Sequence, residues 1–166
     1  LGDVYKRQGP NKGDKIVEND ILQLNKNVKP IIKKSIDYSN SKIEFIRVIK
    51  GTNFDYFSKE SQKSFFESQY QVTNLTDRMG MRLDGYKLNN IKSENIKSEG
   101  LIKGVIQVPP DGKPIIMLSD HGTIGGYPKI GVIISADYDK IVQLPPMSKI
   151  KFLSLIHIWR CRRRSL

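Results

Sequence analysis

Two arginines four residues apart around a glycine are the most chemically pointed feature of this chain. They are Arg78 and Arg82, flanking Gly80 in the segment 76–85, TDRMGMRLDG. A guanidinium presents a planar fork that grips a carboxylate or phosphate with two hydrogen bonds, which an ammonium cannot do. Outside residues 1–8 and 153–166 only Arg47, Arg78 and Arg82 are arginine, in a chain otherwise rich in lysine. The pair is a candidate anion clamp; the competing reading is an ion pair with Asp77 that holds a turn. Glu99, in Ser98-Glu99-Gly100, is either a general base or arginine partner, or a solvated loop carboxylate. Gln107 lies in the apolar run 104–109, where a buried amide must find partners in a substrate or in nearby backbone.

A fourth segment, 119–128, reads SDHGTIGGYP. Its adjacent glycines, Gly125 and Gly126, let backbone approach a ligand closely and aim N–H groups at an anion. Asp120 suits orienting an arginine or accepting a proton, and Tyr127 suits stacking or hydroxyl donation. The bland alternative is a tight turn with Tyr127 packed on Pro128. His121, beside Gly122, reads as a polar turn residue rather than a base. The glycine spacing is not that of a dinucleotide-binding turn.

Short strands between turn residues must position these groups. Alternating residues over 42–49 predict a strand buried on both faces. Ser58 is placed to cap a helix over 59–68 that turns Phe65 and Phe66 inward. Strands are expected at 70–73, 81–83, 105–108, 115–118 and 130–135, and another begins at 149–152. Pro109-Pro110-Asp111-Gly112 predicts a hairpin turn. Asp137 is expected to cap one helical turn over 139–143, which Pro145-Pro146 stops. Many short strands and few helices predict a mainly β protein, a barrel or a sandwich. The polar stretch 9–41, with one apolar run at 21–24, reads as the end of an upstream region and a linker.

The two ends need separate treatment. Residues 3–8 and 153–158 match, in translation, the two strands of a transposase adapter used in DNA library preparation. Residues 159–163 continue the adapter if TGA is read as Trp. Residues 1–8 and 153–166 are therefore expected to be adapter-derived and to carry no information on the fold. The chain has 28 Lys+Arg, 17 Asp+Glu and a formal charge of +11. Leaving out Lys6, Arg7, Arg160, Arg162, Arg163, Arg164 and Asp3 lowers the charge from +11 to +6 and removes the arginine-rich tail that would point to nucleic acid. The single cysteine, Cys161, also falls in an end, so no disulfide, thiol nucleophile or cysteine metal site is expected. His121 is then the only histidine, which removes a histidine metal cluster. No apolar run approaches the ~18 residues that span a bilayer, and a cytoplasmic protein without a nucleic-acid or membrane partner is expected.

In this order and spacing, TDRMGMRLDG, SEG, GVIQVPPDGKPIIMLSD and TIGGYPKIGVIISADYDKIVQL resemble the carboxyltransferase-like subunit family. That family includes the C subunit of 5-oxoprolinase, KipI antagonist and allophanate hydrolase subunit 2, and is related to the carboxyltransferase domain of urea carboxylase. The resemblance is strong over 77–143, weaker over 46–66, and assigns residues 42–152 to the C-terminal part of one domain. It implies a cyclophilin-like β-barrel, here cut at both ends, with open edges that would leave it poorly stable. It implies a subunit of an ATP-dependent complex that opens 5-oxoproline to glutamate, ATP being held through partner subunits. Those partners are a related carboxyltransferase-like subunit and a third oxoprolinase subunit, with a small amide as substrate. The alternatives it carries are biotin-dependent carboxyl transfer to urea or allophanate, and a regulator that binds its related partner subunit. The matching positions are Arg78, Arg82, Glu99 and Asp120 as catalytic residues. Gln107, Thr123, Gly125, Gly126 and Tyr127 match as substrate-binding residues. Met81, Gly122 and Ile124 stand where the family usually has Tyr, Gln and Thr, a loss of three hydrogen-bonding side chains around the expected cavity.

Overall fold

The computed structural model describes residues 18–19, 45–92 and 96–155. The chain divides into two compact units, Leu1–Asn40 and Ser41–Leu166. In the first, Glu18 and Asn19 form an exposed turn, with Asn19 at φ 75°. The apolar run at 21–24 lies outside the described residues.

In the second unit, alternating residues build a closed seven-stranded barrel. Its strands are β1 (Phe45–Lys50), β2 (Gln69–Thr76), β3 (Gly80–Asp84), β5 (Val105–Gln107), β6 (Ile115–Met117), β8 (Lys129–Ile133) and β9 (Lys149–Ser154). Around the barrel the order is β1-β8-β5-β6-β3-β2-β9. The neighbouring pairs are antiparallel except at the seam, where β1 and β9 run parallel, Ile46 opposite Phe152 and Val48 opposite Ser154. Two further short strands, β4 (Glu99–Gly100) and β7 (Ile124–Gly125), pair only with each other. Closure overturns the expected open edges: every barrel strand has two neighbours, so the physical ground for expecting poor stability disappears. Strand β9 extends through Leu153 and Ser154, past the boundary drawn at residue 152. Ladder hydrogen bonds come from backbone, so this pairing does not depend on which side chains stand at 153 and 154.

The core is continuous across the barrel. Ile46, Val48, Phe65, Tyr70, Val72, Ile106, Ile116, Ile130, Ile150 and Phe152 are all buried in it. Helix α1 (Lys59–Glu67) forms as expected, with the Ser58 hydroxyl accepting from the Ser61 N–H at 3.1 Å. Its Phe65 ring stacks on Phe152 at 4.7 Å between centroids, which carries the helix onto the β9 seam. The Pro109–Gly112 turn does join antiparallel strands β5 and β6. Gly112 takes φ 75°, and an added Cβ there would lie 3.2 Å from Leu88 backbone.

Two expectations fail. Strand β1 is buried on one face only: Ile46 and Val48 point to the core, whereas Phe45 and Ile49 are exposed. A barrel strand has one inward face, so β-branched content alone did not indicate two covered faces. Helix α2 (Ser135–Val142) is two full turns, and Ser135 begins it rather than ending a strand. Ile134 stands at the N-cap without a side-chain bond, while Asp137 lies in the first turn. Its carboxylate is taken by Arg47 of β1, at 2.7 Å from both Nε and Nη2.

The Tyr70 hydroxyl has no hydrogen-bond partner among the described residues, although the ring is fully buried. Burial, with a smaller contribution from Tyr86, pushes its ionisation above the ordinary phenol range. A buried hydroxyl without a partner is a net cost, so Tyr70→Phe is expected to stabilise the fold by about 1 kcal/mol. Denaturant titration measures this; a loss of stability above the error would show that the hydroxyl is bonded.

Candidate functional site

The site candidates gather at the two ends of the loop that runs from Asp120 to Tyr127. At one end, segment 76–80 turns tightly into β3. The Asp77 carboxylate accepts from the Met79 and Gly80 N–H groups at 2.8 and 2.9 Å, so Asp77 makes the turn. Arg78 Nε donates to Asp120 Oδ2 at 2.8 Å, and the Asp120 N–H donates to the Arg78 carbonyl at 3.0 Å. This two-way contact fixes a guanidinium that is still 71% exposed. Arg82 does not join it. It lies one strand position beyond the buried Met81, with an exposed side chain that makes no hydrogen bond or ion pair among the described residues. Its backbone carbonyl accepts from the Thr73 hydroxyl. Along β3 positions 81 and 83 enter the core and Arg82 points outward, and the four-residue spacing spans a turn and a strand rather than one helical face.

At the other end, two buried polar side chains oppose each other across the barrel wall. Gln107 of β5 pairs in register with Lys129 of β8, at a bulge, and the residues are 4% and 5% exposed. The Gln107 amide donates to the Tyr127 carbonyl at 3.1 Å. Lys129 Nζ donates to Glu99 Oε2. The Lys129 backbone is held from both sides by Asn53, itself buried. Asn53 N–H donates to the Lys129 carbonyl at 3.2 Å, and Lys129 N–H donates to Asn53 Oδ1 at 3.1 Å.

The β4–β7 ribbon lies over this pair. Glu99 is opposite Gly125 and Gly100 opposite Ile124. Ile96 N–H donates to the Gly126 carbonyl and Leu101 N–H to the Thr123 carbonyl, both at 2.9 Å, which extends the zip at each end. A Cβ on Gly125 would meet the Gln107 amide at 2.7 Å and Leu101 at 2.8 Å. One on Gly126 would lie 3.3 Å from the Ile96 carbonyl. The glycines thus let the ribbon close on Gln107 and on segment 96–101. Tyr127 remains partly exposed at the edge.

Of the sequence candidates, the structure brings Glu99, Gln107, Gly125, Gly126 and Tyr127 together and links them through Thr123 and the loop to Asp120 and Arg78. Glu99 meets a lysine, not an arginine. Sequence reasoning missed Lys129 and Asn53: in a chain so rich in Lys and Asn, residue type carries no signal, and only burial separates them from the rest. Met81 is buried in the core, while Ile124 is exposed on the ribbon. His121 Nδ1 donates to the Gly122 carbonyl at 2.6 Å, in keeping with a turn residue. Among the described residues no group of three or more His, Cys, Asp or Glu is placed to hold a metal ion. No helix among them is long and apolar enough to cross a membrane.

Comparison with known proteins gives this arrangement its relatives. The family description "Carboxyltransferase domain, subdomain A and B" matches residues 2–154. Over 108 residues, 65% of the chain, the sequence is 39% identical to the C subunit of 5-oxoprolinase from Escherichia coli strain K12. Over 124 residues, 74% of the chain, it is 34% identical to the C subunit of 5-oxoprolinase from Haemophilus influenzae. These matches span 35% and 40% of the relatives' own lengths. The solved urea carboxylase of Kluyveromyces lactis superposes on 70% of the chain with a TM-score of 0.65 at 28% identity, covering 11% of that enzyme. With the family match running over residues 2–154, the chain belongs to the carboxyltransferase domain family, subdomain A and B.

Proposed function

We propose that this chain is part of a C-type subunit of an ATP-dependent 5-oxoprolinase, the complex that opens 5-oxoproline to glutamate. The observation that carries the reading is the 39% identity to the C subunit of a 5-oxoprolinase over 108 residues. An unactivated lactam resists water. Phosphorylation of its amide oxygen by ATP makes the amide carbon electrophilic, so that water adds there and the ring C–N bond breaks, with the nitrogen taking a proton. A second water releases phosphate from the acyl phosphate left behind. The site's part in such a reaction is to hold a small amide with an anionic centre, by preset charges and dipoles. Arg78, set by Asp120, supplies a guanidinium at the loop's open end; Glu99, Lys129 and Gln107 supply charge and an amide beneath the ribbon. Gly125 and Gly126 have their Cβ sides filled by Gln107 and the Ile96 carbonyl. ATP on this reading is held with partner subunits, a related carboxyltransferase-like subunit and a third oxoprolinase subunit, in the cytoplasm. The chain by itself is then inactive. Arg82, exposed on β3, is reassigned to contact with a partner or solvent.

The likeness to urea carboxylase favours one alternative, carboxyl transfer from biotin to an amide nitrogen. The deciding experiment incubates the full-length protein and its partner subunits with 5-oxoproline and ATP and measures glutamate. Release dependent on all components supports the first reading; none, with carboxylation of urea by a biotinylated partner, supports the second. Within the first reading, Arg78→Lys keeps the charge but loses the fork, and kcat/KM is expected to fall roughly tenfold, the worth of one charge-assisted hydrogen bond. Unchanged turnover would remove Arg78 from the site.

A further inference from the structure

Lys129 is placed as few lysines are. Its side chain is 6% exposed, and its backbone is locked into the barrel by Asn53. An ammonium has three N–H donors, and among the described residues Lys129 Nζ makes one hydrogen bond, to Glu99. Taking an ammonium out of water costs several kcal/mol unless its donors are met. The partner that meets one of them is not on the barrel. Glu99 sits on a strand of two residues that pairs only with another strand of two, and its side chain is 44% exposed. A pair serving stability alone gains most when both charges are fixed and shielded. Here the cation is fixed and shielded, while the anion is half in water on a sheet of two two-residue strands. Directly across from Lys129, the buried Gln107 amide makes one hydrogen bond, to Tyr127.

We propose that Lys129 and Gln107 form a carboxylate seat that the Glu99 carboxylate fills as an internal stand-in, and that a ligand carboxylate takes its place when the β4–β7 ribbon lifts. The chemical class follows from the seat: one ammonium and one amide suit a single planar carboxylate or carbamate on a small molecule. The proposal deepens the 5-oxoprolinase reading and rests on it for the natural ligand, since 5-oxoproline carries one carboxylate beside its ring amide. Arg78, at the far end of the loop, then serves the charge that develops during the reaction.

Acetate is the probe, titrated calorimetrically at low salt into the full-length protein without ATP or partners. Glu99→Gln keeps the shape of the side chain but no longer competes as an anion, and should bind acetate about tenfold more tightly than the parent, the worth of one charge-assisted contact. Adding Lys129→Met to that variant should abolish the binding. A structural pair gives another result: Glu99→Gln lowers the melting temperature and leaves acetate affinity unchanged, which overturns the proposal. Acetate binding that survives Lys129→Met overturns it too. The two readings fail separately. Lys129-dependent acetate binding without glutamate release by the complex leaves the seat standing and removes the oxoprolinase reading. Glutamate release undiminished in Lys129→Met does the reverse.

Discussion

Gly51→Ala is expected to destabilise the barrel by about 3 kcal/mol or more, at the upper end of what overpacking costs. Gly51 follows β1 and donates its N–H to the Ile130 carbonyl at 3.0 Å, continuing the β1–β8 ladder. A Cβ there would stand 2.3 Å from the Lys129 carbonyl oxygen, and 2.8 Å from both the Lys129 carbonyl carbon and the Gly131 nitrogen. All three are backbone atoms of a strand paired on both sides, so no rotamer change relieves the contact and β8 must move. One of them, the Lys129 carbonyl oxygen, accepts the Asn53 N–H that helps to lock Lys129. The variant should therefore also lose affinity for an anion beneath the ribbon. Gly100→Ala is the matched control, because a Cβ on Gly100 meets nothing within 4 Å. Denaturant midpoints of the two variants against the parent provide the test. A Gly51→Ala cost near that of Gly100→Ala would mean the two strands are not packed this closely.

How much of this was legible depended on whether a signal is local. Alternation and turn residues located most of the barrel strands, and the Ser58 cap located α1, because each reflects a preference of a few neighbouring residues. Closure was not legible. The parallel β1–β9 seam joins residues about a hundred positions apart, and no local pattern encodes which two edges meet. The site divides along the same line. Glu99, Gln107 and the Gly125-Gly126 turn stood out by type and setting, and they do meet. Arg82 stood out equally, yet on β3 it points outward and makes no bond to the Asp120 carboxylate that holds Arg78. Lys129 and Asn53 were invisible: their importance lies in burial and in reciprocal backbone bonds across 76 positions, which composition rich in Lys and Asn conceals. Asp137 was read as a cap because it precedes a polar helix, but its carboxylate is claimed by β1.

That carboxylate carries the second large expectation. Asp137 is 1% exposed and receives Arg47 Nε, Nη2 and backbone N–H together with Lys140 Nζ at 2.9 Å. These bonds tie α2 to β1, next to the Ile134 N–H donating to the Arg47 carbonyl at 3.2 Å. Arg47→Met keeps the side-chain stem and the backbone bond but leaves a buried carboxylate with only that N–H and Lys140. The loss should be about 3 kcal/mol, the low end for breaking a buried pair, because the Arg47 side chain is itself 38% exposed. Pairing Arg47→Met with Asp137→Leu should recover much of it, since a buried ion pair replaced by apolar side chains is often close to neutral. The pH dependence has a definite sign. Hydrogen bonding to Arg47, outweighing burial and helped by Lys140, holds the Asp137 carboxyl well below the usual carboxylate range. A depressed native value means stability that is fully present above the unfolded value of about 3.9 and lost as pH falls through that value toward the native one. The parent's advantage over Asp137→Asn should therefore be constant from pH 7 to 5 and shrink as the pH drops below about 4. Denaturant titrations of both proteins at pH 7, 5 and 3 decide it. An advantage that stays constant down to pH 3 would show that the carboxylate is not held by these bonds, and that α2 is fastened to the barrel by packing instead.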